Sequence, residues 1–303
     1  MFFCLKKLRL LSRISWKIEY SAAVFVSTRR FSVEISKLRN IDGANRISRR
    51  RRNREDILDK PEVINFDKVS FFYGKNEILH DVTFSVKKED FFAIIGPNGG
   101  GKTTILRLML GFIRPTSGKI TVFGDEPGKN FTKIASVPQF SSHDRLFPIT
   151  VEEVVLQGLV KSTSFLPFYT KSEKEKAADA MKKLGVLNRA GARFGDLSGG
   201  LKQRTLIARA IVSDPEILLL DEPVASVDSS VEKDIYEMLL DMNKKITIVM
   251  VSHDIGFVSS FVNKIGCVNK IFVEHNSKDE MCCLEEHHAY SGKTTMIHHK
   301  CGI

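Results

Sequence analysis

Nine residues, Gly96-Pro97-Asn98-Gly99-Gly100-Gly101-Lys102-Thr103-Thr104, constrain this chain more than any other stretch. They follow an apolar run, Phe91-Phe92-Ala93-Ile94-Ile95, and precede a helical pattern, Ile105-Leu106-Arg107-Leu108-Met109-Leu110. The spacing is G-x-x-x-x-G-K-[ST] between a strand and a helix, the context in which it forms a phosphate-binding loop. Glycines let backbone N–H groups converge on a phosphate without Cβ interference. The following helix points its positive dipole end at the anion. Lys102 has the reach for terminal phosphates, and the Thr103 hydroxyl suits Mg²⁺.

The net charge of +10 sits outside the region that carries this loop. Residues 1–60 hold 16 Lys+Arg and 6 Asp+Glu, and the remainder balances to zero. Basic charge therefore gives no reason to expect nucleic acid as a partner of the folded region. The first 60 residues lack a clear helix or strand period and close on Arg49-Arg50-Arg51-Arg52 and Arg54. Their Arg- and Ser-rich composition also fits an organelle transit peptide, and the arginines fit anionic lipid or nucleic acid. We read them as a solvated, disordered extension, or as residues upstream of the true start. No apolar run approaches the roughly 18 residues of a membrane span, so any membrane contact is expected through a partner. Five cysteines, Cys282 and Cys283 adjacent, make a poor disulfide framework.

Beyond the extension, folded sequence begins near Val63. Ile64–Phe71 and Glu77–Val86 alternate like paired strands, which predicts an antiparallel sheet ahead of the loop. Lys119–Phe123 and Ile134–Val137 read as further strands, the second ending at Pro138-Gln139. Between Ser141 and Asp196 the pattern turns helical. Thr150-Val151-Glu152-Glu153 and Ser172-Glu173-Lys174-Glu175 both read as capping boxes, the second opening a helix stopped at Gly185. The strand Ile217–Leu220 ends in Asp221-Glu222-Pro223, and after a helix from Val231 to Asp241 the strand Ile246–Val251 ends in Ser252-His253-Asp254. Polar residues at the carboxyl ends of parallel strands line one crevice, where α/β sheets bind ligands. There Asp221 would hold Mg²⁺, directly or through water, and Glu222 would act as general base on an attacking water. Gln139 would touch metal and water, and His253 the γ-phosphate.

Residues 63–275 or so, about 70% of the chain, resemble the ATP-binding subunit of ABC transporters, with every motif in order. Gly96–Thr104 matches the family's Walker A, Gln139 its Q-loop and Leu197-Ser198-Gly199-Gly200-Leu201 its signature. Ile217–Asp221 matches Walker B with Glu222 as catalytic base, Ala225–Asp228 the D-loop and His253 the switch histidine. Tyr73 matches the aromatic that stacks on adenine, a contact worth roughly 1–3 kcal/mol by analogy with other base–aromatic stacks. The resemblance implies a P-loop NTPase core with a parallel sheet, an N-terminal antiparallel β subdomain and a helical insertion over about 141–212. The ATP-binding domain is expected over 62–278, with a tail at 279–303.

It also implies that Ser198, Gly199 and Gly200 complete the ATP site of a partner copy, giving a head-to-tail homodimer with ATP and Mg²⁺ at its interface. Membrane permease subunits and a substrate-binding protein are expected partners, with the chain peripheral on the cytoplasmic side of the inner membrane. Leu201 stands where the signature usually has Gln, and Val224 where Thr is frequent; hydrolysis is expected to survive both. Phe147–Val155 and Glu222–Asp228 look like the ATPases of zinc, manganese and iron importers. Siderophore importers share parts of these stretches, and a soluble, non-transport ABC ATPase is the other alternative. Five of the eight histidines (His275, His287, His288, His298, His299) and Cys282, Cys283 and Cys301 fall late in the chain. Their spacing fits no structural zinc template, so metal sensing and an incidental tail stand level. Ser291-Gly292-Lys293-Thr294-Thr295 mimics a phosphate loop, but His287 stands where the first glycine belongs.

Overall fold

Strand β3 (Phe91–Ile95) is buried along its whole length. Phe91, Ala93 and Ile95 point into one apolar core, Phe92 and Ile94 into another. The period-2 alternation of a strand thus explains a run with no polar residue: both faces are covered. The structure, a computed structural model, describes residues 60–139, 148–159, 169–224, 229–252, 261–275, 284–286 and 297–299.

Five further strands build on β3. These are β5 (Ile134–Val137), β6 (Ile217–Asp221), β7 (Thr247–Ser252), β8 (Lys264–Asn269) and β9 (Ile271–His275). The sheet order is β5-β6-β7-β3-β8-β9, parallel except for the antiparallel β8–β9 pair. A second sheet is antiparallel and three-stranded, in the order β2-β1-β4, from β1 (Glu62–Tyr73), β2 (Asn76–Lys87) and β4 (Ser117–Val122). A small antiparallel pair joins β10 (Leu284–Glu286) to β11 (Ile297–His299).

The two cores lie on opposite faces of the six-stranded sheet. One is shared with the antiparallel sheet and with α1 (Lys102–Met109). Phe84 of β2 is its bridge, stacked on Phe66 at 4.5 Å and on Phe272 at 4.4 Å, with Phe92 at 5.5 Å. The other core takes Leu218, Leu220, Ile248 and Met250 from the sheet. Against them pack α2 (Val151–Leu156), α3 (Lys171–Lys183), α4 (Gly199–Ile211) and α5 (Ser229–Asn243). The expected strands and helices are present, with ends moved by at most three residues. The closing strands β8 and β9 were not anticipated.

The two helix starts are instructive. Thr150 caps α2 as a full capping box with Glu153, as the sequence suggests. For α3 the expected Ser172/Glu175 box is replaced by Thr170/Glu173, two residues earlier. The Thr170 hydroxyl accepts from the Glu173 N–H at 3.3 Å, and the Glu173 carboxylate accepts from the Thr170 N–H at 2.6 Å. Two overlapping S/T-x-x-E patterns compete here. Tyr169 packs against the core and fixes the chain one residue before Thr170, so the earlier pattern wins. Thr170→Ala should therefore lower stability by about 1 kcal/mol, whereas Ser172→Ala should cost almost nothing. Urea denaturation of the two variants checks this; equal losses would return the cap to Ser172.

Candidate functional site

Three parallel strands deliver the site. β3 runs into the loop at Gly96, β6 ends at Asp221, and Gln139 lies two residues beyond β5. Three glycines of the loop, Gly96, Gly100 and Gly101, leave no room for a Cβ. A Cβ on Gly96 would stand 2.0 Å from the Val268 carbonyl oxygen of β8, so no side chain fits between loop and sheet. Gly101 has a φ of 103°, and a Cβ there would meet Leu79 Cδ2 at 2.6 Å. The loop is thus pressed against β8 on one side and β2 on the other. Asn98 and Gly99 remain exposed.

Lys102 opens α1 and is buried. Its ammonium donates to the carbonyls of Gly96 at 2.8 Å and Pro97 at 3.0 Å, folding back over its own loop. Burial lowers its pKa, while the nearby carboxylates of Glu222 and Asp221 oppose that shift. Asp221 shifts the other way. Burial raises its pKa, against a hydrogen bond from the Thr103 hydroxyl; Glu222 adds to the rise, while Lys102 and Arg107 oppose it. Thr104 is buried beside them in α1.

Glu222 leaves the strand with φ 47°, a left-handed conformation uncommon for a residue with a Cβ. Its N–H donates to the Val251 carbonyl at 3.0 Å, which ties the turn to β7. Gln139 Nε2 donates to Glu222 Oε2 at 2.7 Å. Lys102, Thr103, Asp221, Glu222 and Gln139 are therefore linked through one crevice by hydrogen bonds and charge. One side holds a cation and glycine-bound N–H groups, the other an acidic pair and an amide. That arrangement can take a polyanion with a divalent cation and activate a water.

The remaining expected residues are placed differently. Tyr73 ends β1 as an exposed residue (43%), its ring T-shaped to that of the buried Phe71 at 4.8 Å. Its hydroxyl accepts from Arg107 Nη1 at 3.3 Å. Arg107 has no part in the expected site. Its signal in the sequence is position: four residues after Thr103, it shares that residue's helical face. Ser198 caps α4, its hydroxyl accepting from the Leu201 N–H at 3.5 Å. Ser198 and Gly199 are exposed and Gly200 is buried. Among the described residues no hydrogen bond joins Ser198, Gly199 or Gly200 to the phosphate loop of the same chain. Leu201 packs against the helix-side core, which gives an apolar residue at that position a structural use. His253, Ala225–Asp228 and the looser histidines His287 and His288 lie outside the described residues.

Comparison with known proteins agrees with this geometry. The sequence profile of the ABC transporter family matches residues 79–225. The zinc uptake system ATP-binding protein ZurA of Listeria innocua is 38% identical over 224 residues, covering 72% of this chain and 87% of that protein. The manganese transport system ATP-binding protein MntB of Bacillus subtilis is 30% identical over 239 residues, covering 78% and 96%. Among solved structures, an ATP-binding cassette captured as a dimer in a post-hydrolysis state with ADP and Pi is 26% identical. It superposes with a TM-score of 0.60 over 70% of this chain and 98% of that one. In fold, in motif order and in sequence, the chain belongs to the ATP-binding proteins of the ABC transporter family.

Proposed function

We propose that this chain hydrolyses ATP to drive a membrane importer of a divalent metal ion, zinc or manganese foremost. The observation that carries the chemistry is the convergence of Lys102, Thr103, Asp221, Glu222 and Gln139 on one crevice. In this reading the loop Gly96–Gly101 wraps the phosphates, with backbone N–H groups from Gly96, Asn98, Gly99, Gly100 and Gly101 and with Pro97, which has no N–H, shaping the turn. Lys102 exchanges its loop carbonyls for phosphate oxygens, and Tyr73 stacks on the base. Thr103, Asp221 and Gln139 fit Mg²⁺, since a hydroxyl, a carboxylate and an amide oxygen are the hard donors it takes. When bound, Mg²⁺ neutralises charge on the phosphates. Glu222 accepts a proton as water oxygen bonds to the γ-phosphorus and the bond to the leaving ADP oxygen breaks. Gln139, held on the Glu222 carboxylate, orients that water, and His253 contacts the γ-phosphate.

The second half of each site comes from a partner copy. Ser198 and Gly199 are exposed at the amino end of a 13-residue helix, a place suited to an anion. The dimeric cassette with ADP and Pi supports a paired assembly. We infer head-to-tail pairing, in which Ser198, Gly199 and Gly200 of one copy cover the phosphates held by the other. Among the described residues no helix is long and apolar enough to cross a membrane. Permease subunits would thus hold the chain at the cytoplasmic face of the inner membrane, with a substrate-binding protein on the far side. The metal assignment rests on relatives named for zinc and manganese transport.

Replacing Glu222 by Gln should cut phosphate release by about 10²–10⁴-fold while MgATP still binds. A Glu222→Gln variant that hydrolyses at the wild-type rate would sink the mechanism. Cells lacking the chain should lose high-affinity uptake of labelled zinc or manganese, and the chain should co-purify with a permease. Loss of iron–siderophore uptake alone would move the substrate elsewhere; no permease at all would favour a soluble ATPase.

A further inference from the structure

One side chain ties two parts of the nucleotide surface together, and beyond the effect of its charge on Asp221 it has no assigned role. Arg107 sits on α1, one turn beyond Thr103 and on the same helical face. Its Nη1 donates to the Tyr73 hydroxyl across 34 residues of sequence. Tyr73 stands at the end of β1, in the antiparallel sheet, whereas α1 grows directly out of the phosphate loop. The ring lies T-shaped to that of buried Phe71, which the core fixes. The hydroxyl at its outer end is gripped from α1.

We propose that Arg107 is a positioning residue for the nucleotide, locking the Tyr73 ring in a set orientation relative to the phosphate loop. The inference rests on the reading of Tyr73 as the base platform. A ring held only at its root rotates about two side-chain torsions, and stacking must then offset the lost freedom. A ring tethered at both ends is organised before the ligand arrives. The tether has a particular anchor: the helix whose first residue, Lys102, faces the phosphates. Five residues of α-helix separate Lys102 from Arg107, about 7.5 Å along the axis. Base platform and phosphate cradle are thereby referred to one rigid rod, although they come from different sheets. Arginine suits the task because its planar fork holds direction as well as charge.

The test measures binding of MgATP and of magnesium tripolyphosphate to the full-length chain by titration calorimetry. Arg107→Met and Tyr73→Phe should each weaken MgATP by about two- to tenfold, the range of one hydrogen bond. Neither should change tripolyphosphate binding, and the double variant should be no weaker than the singles. Arg107→Lys should recover part of the loss, and in steady-state hydrolysis the loss should fall on KM rather than kcat. Tyr73→Ala should weaken MgATP further, since it removes the stack as well. Normal MgATP binding by Tyr73→Ala would overturn the base-platform reading itself. A weaker Tyr73→Ala beside an unchanged Arg107→Met would overturn only the role of Arg107. So would additive losses in the double variant, or an equal loss for tripolyphosphate. Should Arg107→Met fail to fold, Tyr73→Phe, which removes a single oxygen, carries the same comparison.

Discussion

The approach of Gly96 to the Val268 carbonyl is the contact on which the site's geometry depends. β3 leaves the sheet so close to that carbonyl that only a residue without a side chain fits at Gly96, or the loop is pushed off β8. With that contact made, the next turn is squeezed between β8 and Leu79 of β2, and Gly101 takes the left-handed conformation that launches α1. The loop is therefore shaped by both sheets at once. The stacked Phe66, Phe84 and Phe272, with Phe92 beside them, bind those sheets into a single framework. Burial of Phe66, Phe84 and Phe92 stabilises the fold by about 1.5–3 kcal/mol per ring, and half-buried Phe272 adds less.

The crevice opposes a buried cation to a half-buried carboxylate, and burial disfavours the charge on each. Their proximity offsets part of that cost. The cluster is held by directional bonds: the Thr103 hydroxyl on Asp221, the Gln139 amide on Glu222, and the Glu222 N–H on β7. Each bond joins a different strand end or helix start. A change in the helical layer that moved Gln139 would be transmitted to Glu222 through one 2.7 Å contact.

Much of this was legible before the fold was known, because the motifs are tied to local geometry. A fully apolar five-residue run, a glycine loop and an amphipathic helix can be arranged in few ways. Asp221 and Glu222 were readable because they follow an apolar strand, and Thr150 because its box pattern has no competitor. The start of α3 was not, since two overlapping boxes differ only in what anchors the preceding residue. The position of Arg107 on the face of Thr103 was readable, but its hydrogen bond to Tyr73 was not, because that bond depends on how α1 meets the antiparallel sheet, which no local pattern encodes. β8 carries the carbonyl that makes Gly96 obligatory, yet no strand was expected over its residues.

Lys102 gives the loop an internal competitor. Its ammonium is already solvated by the carbonyls of Gly96 and Pro97, so a phosphate must displace those two bonds before gaining its own. Affinity is then the difference between two similar sets of charge-assisted contacts. In the proposed ATP site, the grip on a ligand would then be set as much by backbone oxygens as by the lysine.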